Sequence, residues 1–175
     1  LDGGRGSLLN PVNLGLRHVE FDVQLTADQV PVLFHDADLQ RVARRPESVH
    51  DLTWSVLAEI PVGEVDRLGH AHAFTYPPSL AQAADAIAGW DGVTAFVEVK
   101  RSSLRRFGRE TVLRRVADVL RPVLDRCVLI SFDLPTVQIL RLMPGERMGG
   151  VLSQSDDTTR QQATGLAPQF LFVNL

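Results

Sequence analysis

HVEFDVQLTADQVPVLFHDADL, residues 18–39, contains two apolar runs, His18 to Leu25 and Val30 to Phe34, separated by Thr26-Ala-Asp-Gln29. Runs of this length and composition, broken by a turn-forming tetrapeptide, predict a β-hairpin. The first run carries Glu20 and Asp22 at alternate positions, and the second ends on His35-Asp36. Side chains alternate faces along a strand, so Glu20 and Asp22 share one face while Val19, Phe21 and Val23 share the other. Charge in a buried sheet is costly unless it is paired or bound to a metal. Two neighbouring carboxylates raise one another's pKa unless a cation lies between them. The alternative is an exposed hairpin edge, on which the same acids would be ordinary surface charge.

The segment Thr94 to Lys100 repeats the spacing, with Glu98 and Lys100 on one face and Val97 and Val99 on the other. Of 18 basic residues, Lys100 is the only lysine. If the two strands are neighbours, Glu20, Asp22 and Glu98 converge, and hard oxygen ligands of this kind suit Mg²⁺ or Ca²⁺. Lys100 can then balance the carboxylates or meet a phosphate oxygen. A histidine at a strand end beside an acid, as in His35-Asp36, can serve as general acid or base. A strand-end salt pair and an ordinary turn are the simpler readings of these two motifs.

Strands are expected at His18 to Leu25, Val30 to Phe34, Thr94 to Lys100, Cys127 to Phe132, Met148 to Leu152 and Phe170 to Asn174. Helices are expected at Thr53 to Glu59, Ser79 to Ala88, Arg109 to Leu124 and Leu134 to Met143, with a weaker one near Asp157 to Gly165. Thr53 is placed to N-cap its helix, and Pro122 to limit or kink the last turn of another. Alternating strands and helices imply a parallel sheet, either doubly wound or closed as a barrel. The glycine fingerprint of a dinucleotide-binding unit is absent from the sequence.

The 175 residues, 45% hydrophobic, suffice for one domain with a sizeable core. A net charge of −3 gives no general attraction to nucleic acid. No apolar run approaches the roughly 18 residues of a membrane span, and no signal-type segment opens the chain. Cys127, the only cysteine, lies in an apolar strand and excludes an intramolecular disulfide. A cytoplasmic setting is the expectation, and a homo-oligomer stays open. His70-Ala-His72 reads as loop surface, the Arg101 to Arg115 run as a solvated helix face, and Trp54 and Trp90 as packing residues.

Taken together, His18-Val-Glu20-Phe-Asp22-Val, Thr26 to Leu39, Asp51-Leu-Thr53, Pro78-Ser-Leu80, Phe96-Val-Glu98-Val-Lys100 and Ser131-Phe132 resemble the glycerophosphodiester phosphodiesterase family. The resemblance implies an α/β fold, the (β/α)₈ TIM barrel, over a single domain, residues 1–175. It implies metal-dependent hydrolysis of a small-molecule glycerophosphodiester to glycerol 3-phosphate and an alcohol, a reaction of lipid and glycerol metabolism. It puts the metal ligands at Glu20, Asp22 and Glu98, the catalytic groups at His35 and Lys100, and substrate contacts at Arg5, Lys100 and Phe132. The barrel is expected to be incomplete, with about six βα units and without the first helix region and the last two strands. Gly3-Gly4-Arg5-Gly6 stands where the family has His-Arg-Gly, so Gly4 takes the place of a second catalytic histidine. Asn10-Pro-Val-Asn13 is a poor echo of the family's next motif. A catalytically impaired homologue acting as a binding module, and a phospholipase-type phosphodiesterase on the same barrel, are the rival readings.

Overall fold

The computed structural model describes residues 15–143, 148–152, 161–162 and 164–173. Arg5, the Gly3 to Gly6 stretch, Asn10 to Asn13, most of the Asp157 to Gly165 helix and Asn174 lie outside the described residues. The strands are β1 (His18–Leu25), β2 (Pro31–Leu33), β3 (Thr94–Val99), β4 (Cys127–Ser131), β5 (Met148–Leu152) and β6 (Phe170–Val173). They form one sheet in the order β2-β1-β3-β4-β5-β6. The β1–β2 pairing is antiparallel, the expected hairpin, and every other pairing is parallel.

The two faces of the sheet are unlike. Val23, Leu25, Ala95, Val97, Val99, Cys127 and Leu129 lie in the main core with the helices. Leu80, Ala83 and Ile87 come from α4 (Leu80–Ala88), Val112, Leu113, Val116 and Leu120 from α6 (Arg109–Leu120), and Val137 and Leu140 from α7 (Leu134–Leu142). The residues between them on the strands, Phe96, Val128 and Ile130, form a separate small cluster with Val151 and Phe170. Among the described residues, helices cover one face and strand side chains fill the other. A doubly wound sheet requires helices on both, so the barrel alternative is the one that fits.

Local chemistry explains most element ends. Ser79 and Gln82 form a reciprocal capping box at the start of α4, and Arg126 closes its far end by donating to the carbonyls of Ile87, Ala88 and Trp90. Asp133 caps α7, accepting from the Thr136 backbone. Pro122 acts as expected: α6 stops at Leu120 and the chain tightens into a 3₁₀ turn, Arg121–Arg126. Thr53 occupies the N-cap position of α2 (Trp54–Leu57), but its side chain does not make the capping bond. Asp28, from the β1–β2 turn, accepts from Trp54 N at 2.9 Å instead. Two short helices escape sequence reading, α1 (Gln40–Ala43) and α3 (Val65–Leu68), and the arginine run begins in a helix of its own, α5 (Arg101–Phe107), separate from α6. Phe34, Leu39, Val49, Leu57 and Ile60, from the segment after β2, form a satellite core with Val32 of β2.

Trp90 is buried in the main core and Trp54 packs against the satellite one. His70 and His72 lie on an exposed turn. The arginine run is surface, but it is paired: Arg109 with Asp133, Arg106 with Asp51 and Arg115 with Gln29. Leu129→Ala, in the middle of the main core, is expected to cost about 2–5 kcal/mol in urea unfolding, whereas Val56→Ala on the surface should stay within about 0.5 kcal/mol.

Candidate active site

The parallel register of β1 and β3 sets Asp22 beside Glu98 and Glu20 beside Phe96. Paired residues point to the same side of the sheet, so the acids of both strands emerge on the face opposite the helices of the main core. One oxygen from each of Glu20, Asp22 and Glu98 lies within 4.8 Å of the others. Glu98 is buried, Asp22 half-buried and Glu20 open to solvent at the rim. Phe96 is the apolar floor, met edge-on by Phe170 at 5.1 Å and Phe172 at 5.2 Å.

Lys100 follows β3 directly. Its Nζ stands 2.8 Å from Glu98 Oε1 and 3.0 Å from Asp22 Oδ1. Burial opposes its charge, but the hydrogen bonds to Glu98 and Asp22 outweigh that and raise its pKa above the ordinary lysine value. Lys100 is therefore a fixed cation bridging two of the three acids.

Glu20 has no such bridge. Although it keeps solvent contact, the surrounding protein withdraws enough water to disfavour the ion, and repulsion from Asp22 and Glu98 adds to this. Attraction from Lys100 and His35 offsets only part, and the Glu20 pKa is pushed up to about 7. Three carboxylates around one lysine leave an excess of negative charge. Oxygens on one Ca²⁺ at about 2.4 Å can be no more than about 4.8 Å apart, so the cluster has the donors, the charge and the spacing for a hard divalent cation.

The β1–β2 hairpin brings His35 back to this cluster. β1 runs past the end of β3, turns at Thr26 to Gln29, and returns until Phe34 N donates to Asp22 O at 3.0 Å. His35 comes next. Its Nδ1 is 2.6 Å from Asp36 Oδ1, and its side chain is 63% exposed. Asp36 Oδ2 accepts from Arg41 Nε at 2.6 Å, and Arg41 also pairs with Glu64. Partial burial works against ionisation of Asp36, yet the hydrogen bonds from Arg41 and His35 hold its pKa below the usual carboxylate range. An ionised Asp36 favours the imidazole tautomer with the proton on Nδ1, which leaves Nε2 free.

Glu20, Asp22, Glu98, Lys100 and His35 are thus gathered at one place, from β1, β3 and the loop after β2. Two details of position complete this picture. Glu20 and Asp22 sit within β1 rather than at its end, because β1 extends beyond the parallel sheet to form the hairpin. Phe132, just past β4, carries the Arg101 guanidinium over its ring at 5.5 Å, which places it beside the helix that starts after Lys100. Arg41 is the member that sequence reading missed. Its only signal was a basic residue five positions after Asp36, and that spacing has no periodic meaning in a loop.

A helix-backed parallel sheet with acids and a lysine on its inner face, and a histidine on the loop beside them, is the TIM-barrel architecture. Solved structures share it. A phosphodiesterase from Oleispira antarctica, solved with its product sn-glycerol-3-phosphate, superposes with a TM-score of 0.78 at 22% identity, over 96% of this chain and 67% of its own. Glycerophosphodiester phosphodiesterases from Thermotoga maritima and Parabacteroides distasonis each give 0.72, at 20% identity, over 99% and 96% of this chain and 67% and 64% of theirs. The chain spans about two thirds of the length of these relatives. No curated protein sequence matches it. Residues 7–165 match the model of the glycerophosphoryl diester phosphodiesterase family, and the chain belongs to that family.

The Glu20 proton gives a stability test. Because its pKa is raised in the folded state from 4.5 to about 7, the folded protein holds a proton that the unfolded chain has released. Its stabilising contribution is full below about pH 4.5 and is lost as pH rises through about 7. In chelator, Glu20→Gln should therefore stabilise the protein relative to wild type at pH 8 but not at pH 4, read from denaturant midpoints.

Proposed function

We propose that this chain carries the catalytic site of a metal-dependent glycerophosphodiester phosphodiesterase, releasing glycerol 3-phosphate and an alcohol. The observation that carries this reading is the convergence of Glu20, Asp22 and Glu98 within 4.8 Å beside Lys100 and His35. Membership of the family and the sn-glycerol-3-phosphate bound to the Oleispira antarctica relative supply the substrate class. Mg²⁺ or Ca²⁺ would be held by Glu20, Asp22 and Glu98. Bound there, a divalent cation supplies charge neutralisation at a phosphoryl oxygen.

The chain's own groups do the rest. Asp36 holds His35 by Nδ1, so that the unprotonated Nε2 takes up the proton of the attacking hydroxyl and passes it to the leaving alkoxide. Lys100 keeps positive charge next to the acids and meets a second phosphoryl oxygen. Phe132 and Arg5 are assigned to substrate contact. The attacking group is the neighbouring hydroxyl of the glycerol moiety: its oxygen bonds to phosphorus as the bond to the alcohol breaks, and water then opens the resulting cyclic phosphate to give glycerol 3-phosphate. A cytoplasmic setting and a place in glycerophospholipid breakdown go with this reading; among the described residues no helix is long and apolar enough to cross a membrane.

Gly4, standing where the family has its other histidine, favours a second reading, a homologue that binds cation and ligand without turnover. Coupled detection of glycerol 3-phosphate from glycerophosphocholine or glycerophosphoethanolamine separates the two. Release that stops in chelator and returns with Mg²⁺ or Ca²⁺ supports the enzyme. Cation-dependent ligand binding with no product supports the binding module. In the enzyme, His35→Ala should lower kcat by roughly 10²–10⁴ with cation affinity retained. Asp22→Ala or Glu98→Ala should weaken cation binding in calorimetry and abolish activity at ordinary cation concentrations.

A further inference from the structure

Gln24 is the third residue of the inward-facing series that begins with Glu20 and Asp22. It is fully buried. Its Nε2 donates to Asp36 O at 3.0 Å and His35 O at 3.3 Å. Its Oε1 accepts from Ser103 Oγ at 2.7 Å and Ser102 Oγ at 2.8 Å. A carboxamide has two N–H donors and two oxygen lone pairs, and all are used. The partners also fix its orientation, since carbonyls can only accept and the amide nitrogen can only donate.

These partners belong to the two segments that carry the proposed chemistry. His35 and Asp36 are the proton-transfer pair. Ser102 and Ser103 open α5, directly after Lys100. Ser103 is itself buried, and its Oγ accepts from Leu25 N at 2.9 Å. One side chain therefore spans from the loop behind the histidine to the strand end behind the lysine, through β1. The bonds to the loop go to main-chain carbonyls and leave the imidazole free.

We propose that Gln24 is the positioning residue that sets His35 relative to Lys100 and the acidic cluster. The role rests on the phosphodiesterase reading only for its consequence in turnover. Asp36 orients the His35 ring, whereas Gln24 locates the backbone from which that ring projects. A carboxylate at this position would present lone pairs to two carbonyls. A leucine would leave carbonyls and hydroxyls in a buried place without partners. Displacement of a reacting group by about 1 Å can cost about 10²-fold in rate.

The test compares Gln24→Leu with wild type by histidine-selective nitrogen NMR, cation calorimetry and steady-state kinetics. The expected result is a changed His35 ring signal, kcat lowered about 10- to 100-fold, and KM and Ca²⁺ affinity within about threefold of wild type. An unchanged His35 signal in a folded variant overturns the proposal. So does Ca²⁺ affinity falling in parallel with kcat, which would mean general support of the strand ends. If Gln24→Leu does not fold, Gln24→Asn, which keeps the amide but withdraws it by one carbon, carries the same two outcomes. The NMR comparison needs no turnover: an inactive wild type overturns the phosphodiesterase reading, while the His35 signal still decides the role of Gln24.

Discussion

The double ion pair of Lys100 with Asp22 and Glu98 is the interaction around which the inner face is organised. Parallel pairing of β1 and β3 puts two acids side by side, an arrangement that repels in a place with little water. Lys100 relieves that repulsion from a position the same strand fixes. Isolated buried charges destabilise a fold, but a cation bonded to two carboxylates converts much of the penalty into a constraint on strand register. Slipping β3 by one residue would turn Glu98 and Lys100 into the main core and bring Val97 and Val99 to the polar face. The register that lets the helices pack is thus also the one that assembles the acids.

The residual charge falls on Glu20. It is the most open of the three acids and the one without a basic partner within hydrogen-bond distance among the described residues. Its raised proton affinity expresses the same imbalance that makes the site suit a divalent ion. The hairpin completes the arrangement. Because β1 outruns its parallel neighbour, the chain can fold back and place His35 near the acids without another barrel strand. Asp36 and Arg41 then hold the imidazole from behind.

Much of this was legible because it is written at period two. Glu20 and Asp22, and then Glu98 and Lys100, announced a polar face wherever an alternating strand was recognised. The continuous apolar run of β4 announced a strand buried on both sides. The unequal covering of those sides was not legible, since composition cannot distinguish helix contacts from barrel filling. Lys100 could be read as a phosphate ligand or as a counter-ion, and only the register of β1 against β3 shows the counter-ion geometry. The capping of α2 by Asp28 was hidden for a similar reason: the two are 26 residues apart. Helices of four residues, such as α1 and α3, have too few turns to show a periodic pattern. Arg41 reaches a carboxylate across a loop and Gln24 reaches main-chain carbonyls that the hairpin brings back to it, and neither partner follows from a spacing rule.

The segment between β2 and α4 owns its apolar nucleus, built from Phe34, Leu39, Val49, Leu57 and Ile60 with Val32, while the barrel strands pack elsewhere. Beyond His35, Asp36 and Arg41, evolution can therefore exchange residues in this excursion as a cassette. Drift there alters the loops beside His35 but spares the strand registry that holds the acids. Preferences for the group bound beside His35 can thus diverge among proteins of this architecture while the acidic cluster stays the same.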